Sequence, residues 1–172
     1  MATALFLDRD GVINVEKDGS YIFSIDEFEF YPGALQTLSH LTQKFDYVFV
    51  VTNQRGIGRG LMTEKQLTDI HDHMVAQIEH AGGKITAIYF APSPDRNHPD
   101  RKPNTGMAQA ALRQYPDIEF DKSIMIGNNL SDMQFGKSMG MRTIFLTTTA
   151  PGTPLPHPLI DRHFDSIASV TL

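Results

Sequence analysis

Two aspartates, Asp8 and Asp10, close the short apolar run Ala4-Leu5-Phe6-Leu7 and are followed at once by Gly11. In extended chain, positions i and i+2 face the same side, so both carboxylates point the same way. Carboxylates that close repel each other unless a cation or a shared proton intervenes. The pair asks for a hard divalent metal, and it offers one carboxylate to attack and another to move protons. Three more clusters follow apolar runs. Thr52, Asn53 and Gln54 come after Tyr47–Val51 and lead into Arg55-Gly56-Ile57-Gly58-Arg59-Gly60. Arg101-Lys102-Pro103 closes a loop, and Gly127-Asn128-Asn129-Leu130-Ser131-Asp132 follows a further run. Acids, a hydroxyl, amides, a lysine and flexible backbone are equipment for moving a phosphoryl group. Arg59 and Arg101 suit a second phosphate or sugar hydroxyls, since the planar guanidinium binds such groups bidentately.

Such residues need strands to bring them together. The sequence predicts strands at Thr3–Leu7, Asp46–Thr52, Ile85–Phe90, Ser123–Ile126 and Thr143–Leu146. Helices are expected at Gly33–Gln43, Thr63–Ala81, Asn104–Tyr115 and around Ser131–Met139. Thr63 and Gln66 make a capping-box pattern, and Gly82-Gly83 stops the long helix. Its apolar stripe is Leu67, Ile70, Met74, Val75 and Ile78. Strands alternating with helices predict right-handed crossovers and an α/β, Rossmann-like three-layer sandwich around a central parallel sheet. All strand ends that carry the clusters then lie on one edge. Residues 15–32, rich in aromatics, read as a small flap over the end of strand one. Residues 91–103 form a proline-rich loop, and 151–158 another. No large cap domain is evident, so residues 1–172 read as one domain.

The bulk numbers fit this. The chain has 172 residues, 41% hydrophobic and 20% charged, with a net charge of −5. That balance disfavours a nucleic-acid partner, which calls for a basic patch. No apolar run approaches the roughly 20 residues of a membrane span. There is no cysteine, hence no disulfide and no thiolate zinc site. The N-terminus lacks the pattern of a secretory signal. A cytoplasmic monomer is the expectation. The seven histidines show no metal-ligand spacing and read as surface or half-buried residues.

Asp8-x-Asp10-Gly11-Val12-Ile13, Val51-Thr52-Asn53, Lys102 and Gly127-x4-Asp132 resemble the four motifs of the haloacid dehalogenase (HAD) superfamily of phosphatases. Asp8-Arg9-Asp10-Gly11-Val12-Ile13-Asn14, the Phe28–Gly33 segment and Val51–Gly60 are similar to the subclass IIIA branch that holds heptose-bisphosphate and histidinol-phosphate phosphatases. The resemblance implies that Asp8 is a nucleophile forming an aspartyl-phosphate and that Asp10 is the general acid and base. It implies that Thr52 and Asn53 bind phosphoryl oxygens and that Lys102 neutralises charge. Mg²⁺ would be held by Asp8, the Asp10 carbonyl and a side chain of the fourth motif, Asn128 or Asp132.

Two departures stand out. Asn128 occupies a position that is usually aspartate, so it brings an oxygen without a charge. Relatives carry a zinc site of three cysteines and a histidine in the 91–103 loop. Here only His98 and Asp100 remain as plausible ligands, and no zinc is expected. The expected function is Mg²⁺-dependent hydrolysis of a small phosphorylated metabolite, a heptose 1,7-bisphosphate first and histidinol phosphate second. The rivals are a catalytically weak sugar-phosphate-binding protein and a nucleic-acid end-processing phosphatase.

Overall fold

A computed structural model describes all residues, 1–172. The strands are β1 (Ala4–Leu7), β2 (Tyr47–Asn53), β3 (Ala87–Ala91), β4 (Ile124–Gly127), β5 (Arg142–Leu146) and β6 (Arg162–Phe164). They form one sheet in the order β3-β2-β1-β4-β5-β6, and every neighbouring pair is parallel. The helices are α1 (Ala34–Leu41), α2 (Arg55–Gly58), α3 (Glu64–His80), α4 (Gly106–Gln114) and α5 (Leu130–Ser138).

The period-two alternation of buried strands builds two cores. Leu5, Leu7, Val48, Val50, Ile124 and Ile126 face one side, where they meet Leu38 of α1 and Leu67, Ile70, Met74 and Ile78 of α3. Ala4, Phe6, Phe49, Val51, Met125 and Phe145 face the other, against Met107 and Ala111 of α4 and Met133 and Phe135 of α5. A sheet buried on both faces explains why its strands read as unbroken apolar runs. The expected α/β sandwich with a central parallel sheet is what forms. No helix is long and apolar enough to cross a membrane.

The Thr63 cap of α3 is made as expected: the Thr63 hydroxyl accepts from Gln66 N–H, and Gln66 Oε1 accepts from Thr63 N–H at 2.8 Å. Two elements differ from the sequence reading. Arg55–Gly58, read as flexible backbone, is a short helical turn, held where Gly58 N–H donates to the Pro92 carbonyl at 3.1 Å and packs against that loop. β6 was not expected; only three residues long, it is added to the sheet edge beside β5.

The flap returns alongside strand one's exit. Val15 N–H donates to the Glu29 carbonyl at 2.8 Å. Ile22 and Phe28 bury into the α1/α3 core, and Phe28 meets Phe30 edge-on.

Candidate active site

β1 lies between β2 and β4, and Asp8 continues it, its N–H donating to the Ile126 carbonyl at 3.0 Å. The ends of β1, β2 and β4 and the loop after β3 open into one cavity of about 430 Å³. Asp8, Asp10, Thr52, Asn53, Arg101, Lys102 and Asp132 all line it. The residues singled out in the sequence are therefore brought together, with two exceptions, Arg59 and Asn128, treated below.

Lys102 is buried between two acids. Its Nζ lies 3.0 Å from Asp8 Oδ1 and 2.6 Å from Asp132 Oδ1. Burial works against its charge, but Asp132 and Asp8 outweigh that and hold the ammonium above its usual range. For Asp8 the balance tips the other way. Burial and the nearby Asp132 charge push its carboxyl up to about 7, against the pull of Lys102. A second cation, beside Lys102, would favour its ionised form.

Asp10 is encircled by donors. Arg9 NH2 reaches its two oxygens at 2.8 and 3.1 Å, Asn14 Nδ2 donates at 3.0 Å and Gln54 Nε2 at 2.9 Å. Burial acts to raise this carboxyl, yet the Arg9 charge and the hydrogen bonds more than offset it and hold it below the usual range. The same Gln54 amide donates to Thr52 Oγ1 at 3.0 Å, which links the acid–base candidate to the hydroxyl of the next strand.

Asn128 sits under this pair. One end of its carboxamide lies 3.1 Å from the Asp10 backbone carbonyl and 3.2 Å from Asp8 Oδ2; the other lies 2.7 Å from Thr149 Oγ1. With nitrogen turned inward, both inner oxygens are satisfied. With oxygen turned inward, three oxygens converge, and the two spacings from Asn128, 3.1 and 3.2 Å, are close to the roughly 3.0 Å edge of an octahedron with metal–oxygen bonds of about 2.1 Å. The Thr149 hydroxyl can donate or accept, so it serves both orientations. Asp8, the Asp10 carbonyl and Asn128 thus fit a hexacoordinate hard cation. Gly11, at φ +81°, is needed here, since a Cβ at that position would overlap the Asn128 side chain.

Asp132, expected as a metal ligand, has other duties. Its Oδ2 accepts the N–H groups of Asn128 at 3.1 Å and Asn129 at 3.0 Å, and Oδ1 takes Lys102. It caps α5 and anchors the lysine. The Asn53 carboxamide is also occupied: Nδ2 donates to the Lys102 carbonyl at 3.2 Å and Oδ1 accepts Lys102 N–H at 3.0 Å. Its side chain thus clamps the Lys102 backbone, while Asn53 lines the cavity. Arg59 points elsewhere too, donating to the Tyr21 hydroxyl of the flap at 3.0 Å.

The mouth carries residues the sequence reading passed over. Arg55 of α2 and Arg96 of the 91–103 loop join Arg101 in the cavity wall, and none of the three forms a salt bridge. Burial, and then the charges of Arg55, Arg96 and Arg59, hold the Arg101 guanidinium below its usual range. Asp95 opposes this only in part, and arginines that crowd each other without a salt-bridge partner make a site for an anion. The loop is tied down by Asn104, whose Nδ2 donates to the carbonyls of His98 at 2.9 Å and Arg96 at 3.2 Å, and by Arg101 donating to the Pro94 carbonyl. Glu16 brings a further carboxyl from the flap, held up by burial and by Asp10.

The family model for polynucleotide kinase 3 phosphatase matches residues 4–165. The chain belongs to this family of HAD-type phosphatases. It is 35% identical over 164 residues to the D-glycero-alpha-D-manno-heptose-1,7-bisphosphate 7-phosphatase of Mycobacterium bovis, covering 95% of this chain and 86% of that one. It is 34% identical over 180 residues to the D-glycero-beta-D-manno-heptose-1,7-bisphosphate 7-phosphatase of Escherichia coli, covering 97% and 91%. The crystal structure of the D,D-heptose 1,7-bisphosphate phosphatase of B. bronchiseptica with magnesium and phosphate superposes with a TM-score of 0.83 at 33% identity, covering 96% and 94%.

Proposed function

We propose that this HAD-type phosphatase uses Mg²⁺ to remove the 7-phosphate of D-glycero-D-manno-heptose 1,7-bisphosphate through an aspartyl-phosphate on Asp8. The observation that carries the reading is the convergence of Asp8, Asp10 and Lys102 in a cavity whose mouth holds Arg55, Arg96 and Arg101, none of them in a salt bridge. One phosphate would react at the floor while the arginines hold the other.

Asp8 attacks phosphorus and the sugar oxygen leaves, taking a proton from Asp10. Water then attacks the aspartyl-phosphate, giving its proton to Asp10 and releasing phosphate from the restored Asp8 carboxylate. Lys102 stays beside Asp8 throughout and offsets charge on the transferring group. Magnesium, held by Asp8, the Asp10 carbonyl and Asn128, would supply further neutralisation of the phosphoryl oxygens. The donors around Asp10 favour its ionised form, which suits the second step; the first requires that a proton reach it as substrate and metal enter. Under the same reading the chain works as a monomer in the cytoplasm, on a small metabolite and on neither nucleic acid nor membrane.

The test is phosphate release with Mg²⁺ across both anomers of the heptose bisphosphate, sugar monophosphates, histidinol phosphate and a 3′-phosphorylated oligonucleotide, with Asp8→Asn in parallel. The expected result is one heptose anomer dominating and no turnover by Asp8→Asn. Preference for the oligonucleotide would replace the reading, and binding without turnover at high Mg²⁺ would favour a sugar-phosphate-binding protein.

A further inference from the structure

His71 lies on the inward face of α3, outside the cavity wall, and is the one buried histidine, 6% exposed. Its Nε2 lies 3.2 Å from Arg9 NH1. Guanidinium nitrogens only donate, so Nε2 must accept and the ring carries its proton on Nδ1. Burial, and then the Arg9 charge, hold the imidazole down to about 3, which keeps it a neutral acceptor. Arg9 is itself 1% exposed, and its Nε has no partner. Its two side-chain partners are therefore divided between its terminal nitrogens: NH1 meets His71, and NH2 alone meets both oxygens of Asp10.

That division is unusual. Arginine ordinarily grips a carboxylate with two parallel N–H bonds, the stronger arrangement. A full fork would take NH1 from His71 and reset Arg9 against the Asp10 oxygens that Asn14 and Gln54 also hold. We propose that His71 is a positioning residue for the phosphatase reaction: by occupying NH1 it keeps Arg9 on Asp10 through a single nitrogen and leaves the Asp10 oxygens aimed at the reacting group. The inference rests on the proposed chemistry of Asp10, but not on which phosphomonoester is the substrate.

The experiment compares His71→Leu, which removes the acceptor, with His71→Gln, which retains one at similar reach. Met74→Ala serves as a control for lost packing on the same helix. Crystal structures are determined for wild type and His71→Leu, and kcat and KM are measured on the best phosphomonoester. The expected result is a kcat about tenfold to a hundredfold lower in His71→Leu with KM within about twofold, since small misplacements of reacting groups cost that much. His71→Gln recovers most of kcat, and Arg9 in His71→Leu grips Asp10 with both terminal nitrogens. The inference is overturned if Arg9 keeps its single-nitrogen contact in that crystal, or if Met74→Ala lowers kcat equally at a matched melting temperature. Should wild type hydrolyse no phosphomonoester, the functional reading fails, while the two crystals still decide what His71 does to Arg9.

Discussion

Lys102 Nζ lies 2.6 Å from Asp132 Oδ1, and both side chains are almost wholly sealed from solvent, at 2% and 1% exposure. Asp132 is thus the foot on which the lysine stands beside Asp8. Breaking a buried pair by removing one partner typically costs about 3–5 kcal/mol, because the other charge is stranded. Lys102→Met strands two, Asp8 and Asp132. Urea unfolding should show a loss of that order, and phosphate release should fall by roughly 10²- to 10³-fold. Turnover near wild type would remove Lys102 from the chemistry. Asp132→Asn keeps the shape but not the charge, and should lower kcat less than Lys102→Met does.

Asn128 faces the Asp8 and Asp10 oxygens with an uncharged group. Asn128→Asp adds a negative charge to a hard-cation site, and ligand charge raises affinity there. Titration calorimetry should show Mg²⁺ binding about tenfold tighter. In EDTA the same variant should melt below wild type, since the inward N–H group that satisfies Asp8 and Asp10 is gone. An unchanged Mg²⁺ affinity would mean that position 128 does not face the cation.

Asp8 titrates near 7, pushed up by burial and by Asp132. A metal binds its carboxylate, so the proton must leave first. Mg²⁺ affinity should therefore rise as pH rises through about 7 and flatten above it, losing up to about tenfold per unit below. Calorimetric titrations at pH 6, 7 and 8 read this directly. Asp8→Asn, which has no proton to lose there, should bind weakly and with little pH slope.

Arg55 and Arg96 touch neither Asp8 nor Lys102 but share the cavity mouth with Arg101. Alanine at either position should lower kcat/KM for a sugar bisphosphate about tenfold, as expected for a lost charge-assisted contact, and change a monophosphate about twofold or less. Equal losses on both substrates would place these arginines at the reacting phosphate instead.

The sheet and its reactive edge were legible because both follow short-range rules. The buried run before Asp8, the run before Thr52, and Thr63 with Gln66 each announce themselves within a few residues. Element ends shifted by one or two residues, as Ala87–Ala91 did from Ile85–Phe90. What escaped was lateral. Asn53 clamps Lys102 across 49 positions and His71 meets Arg9 across 62, and no periodicity records such pairings. Arg55-Gly56-Ile57-Gly58 looked like punctuation because glycine signals flexibility, yet Gly58 allows close approach to Pro92. Arg59 and Asp132 were assigned by position along the chain, while their directions are set by Tyr21 and by the α5 cap.

The nucleophile candidate continues β1, a strand with a neighbour on either side, whereas Arg55, Arg96 and Arg101 all sit in the connections that follow β2 and β3. The two inventories meet at one point, since Lys102 follows Arg101 directly in the loop after β3. Exchanges at Arg55 and Arg96 can rewrite which molecule is admitted while Asp8, Asp10 and Lys102 are copied unchanged. A lineage built on this plan can diversify its diet without reinventing its chemistry.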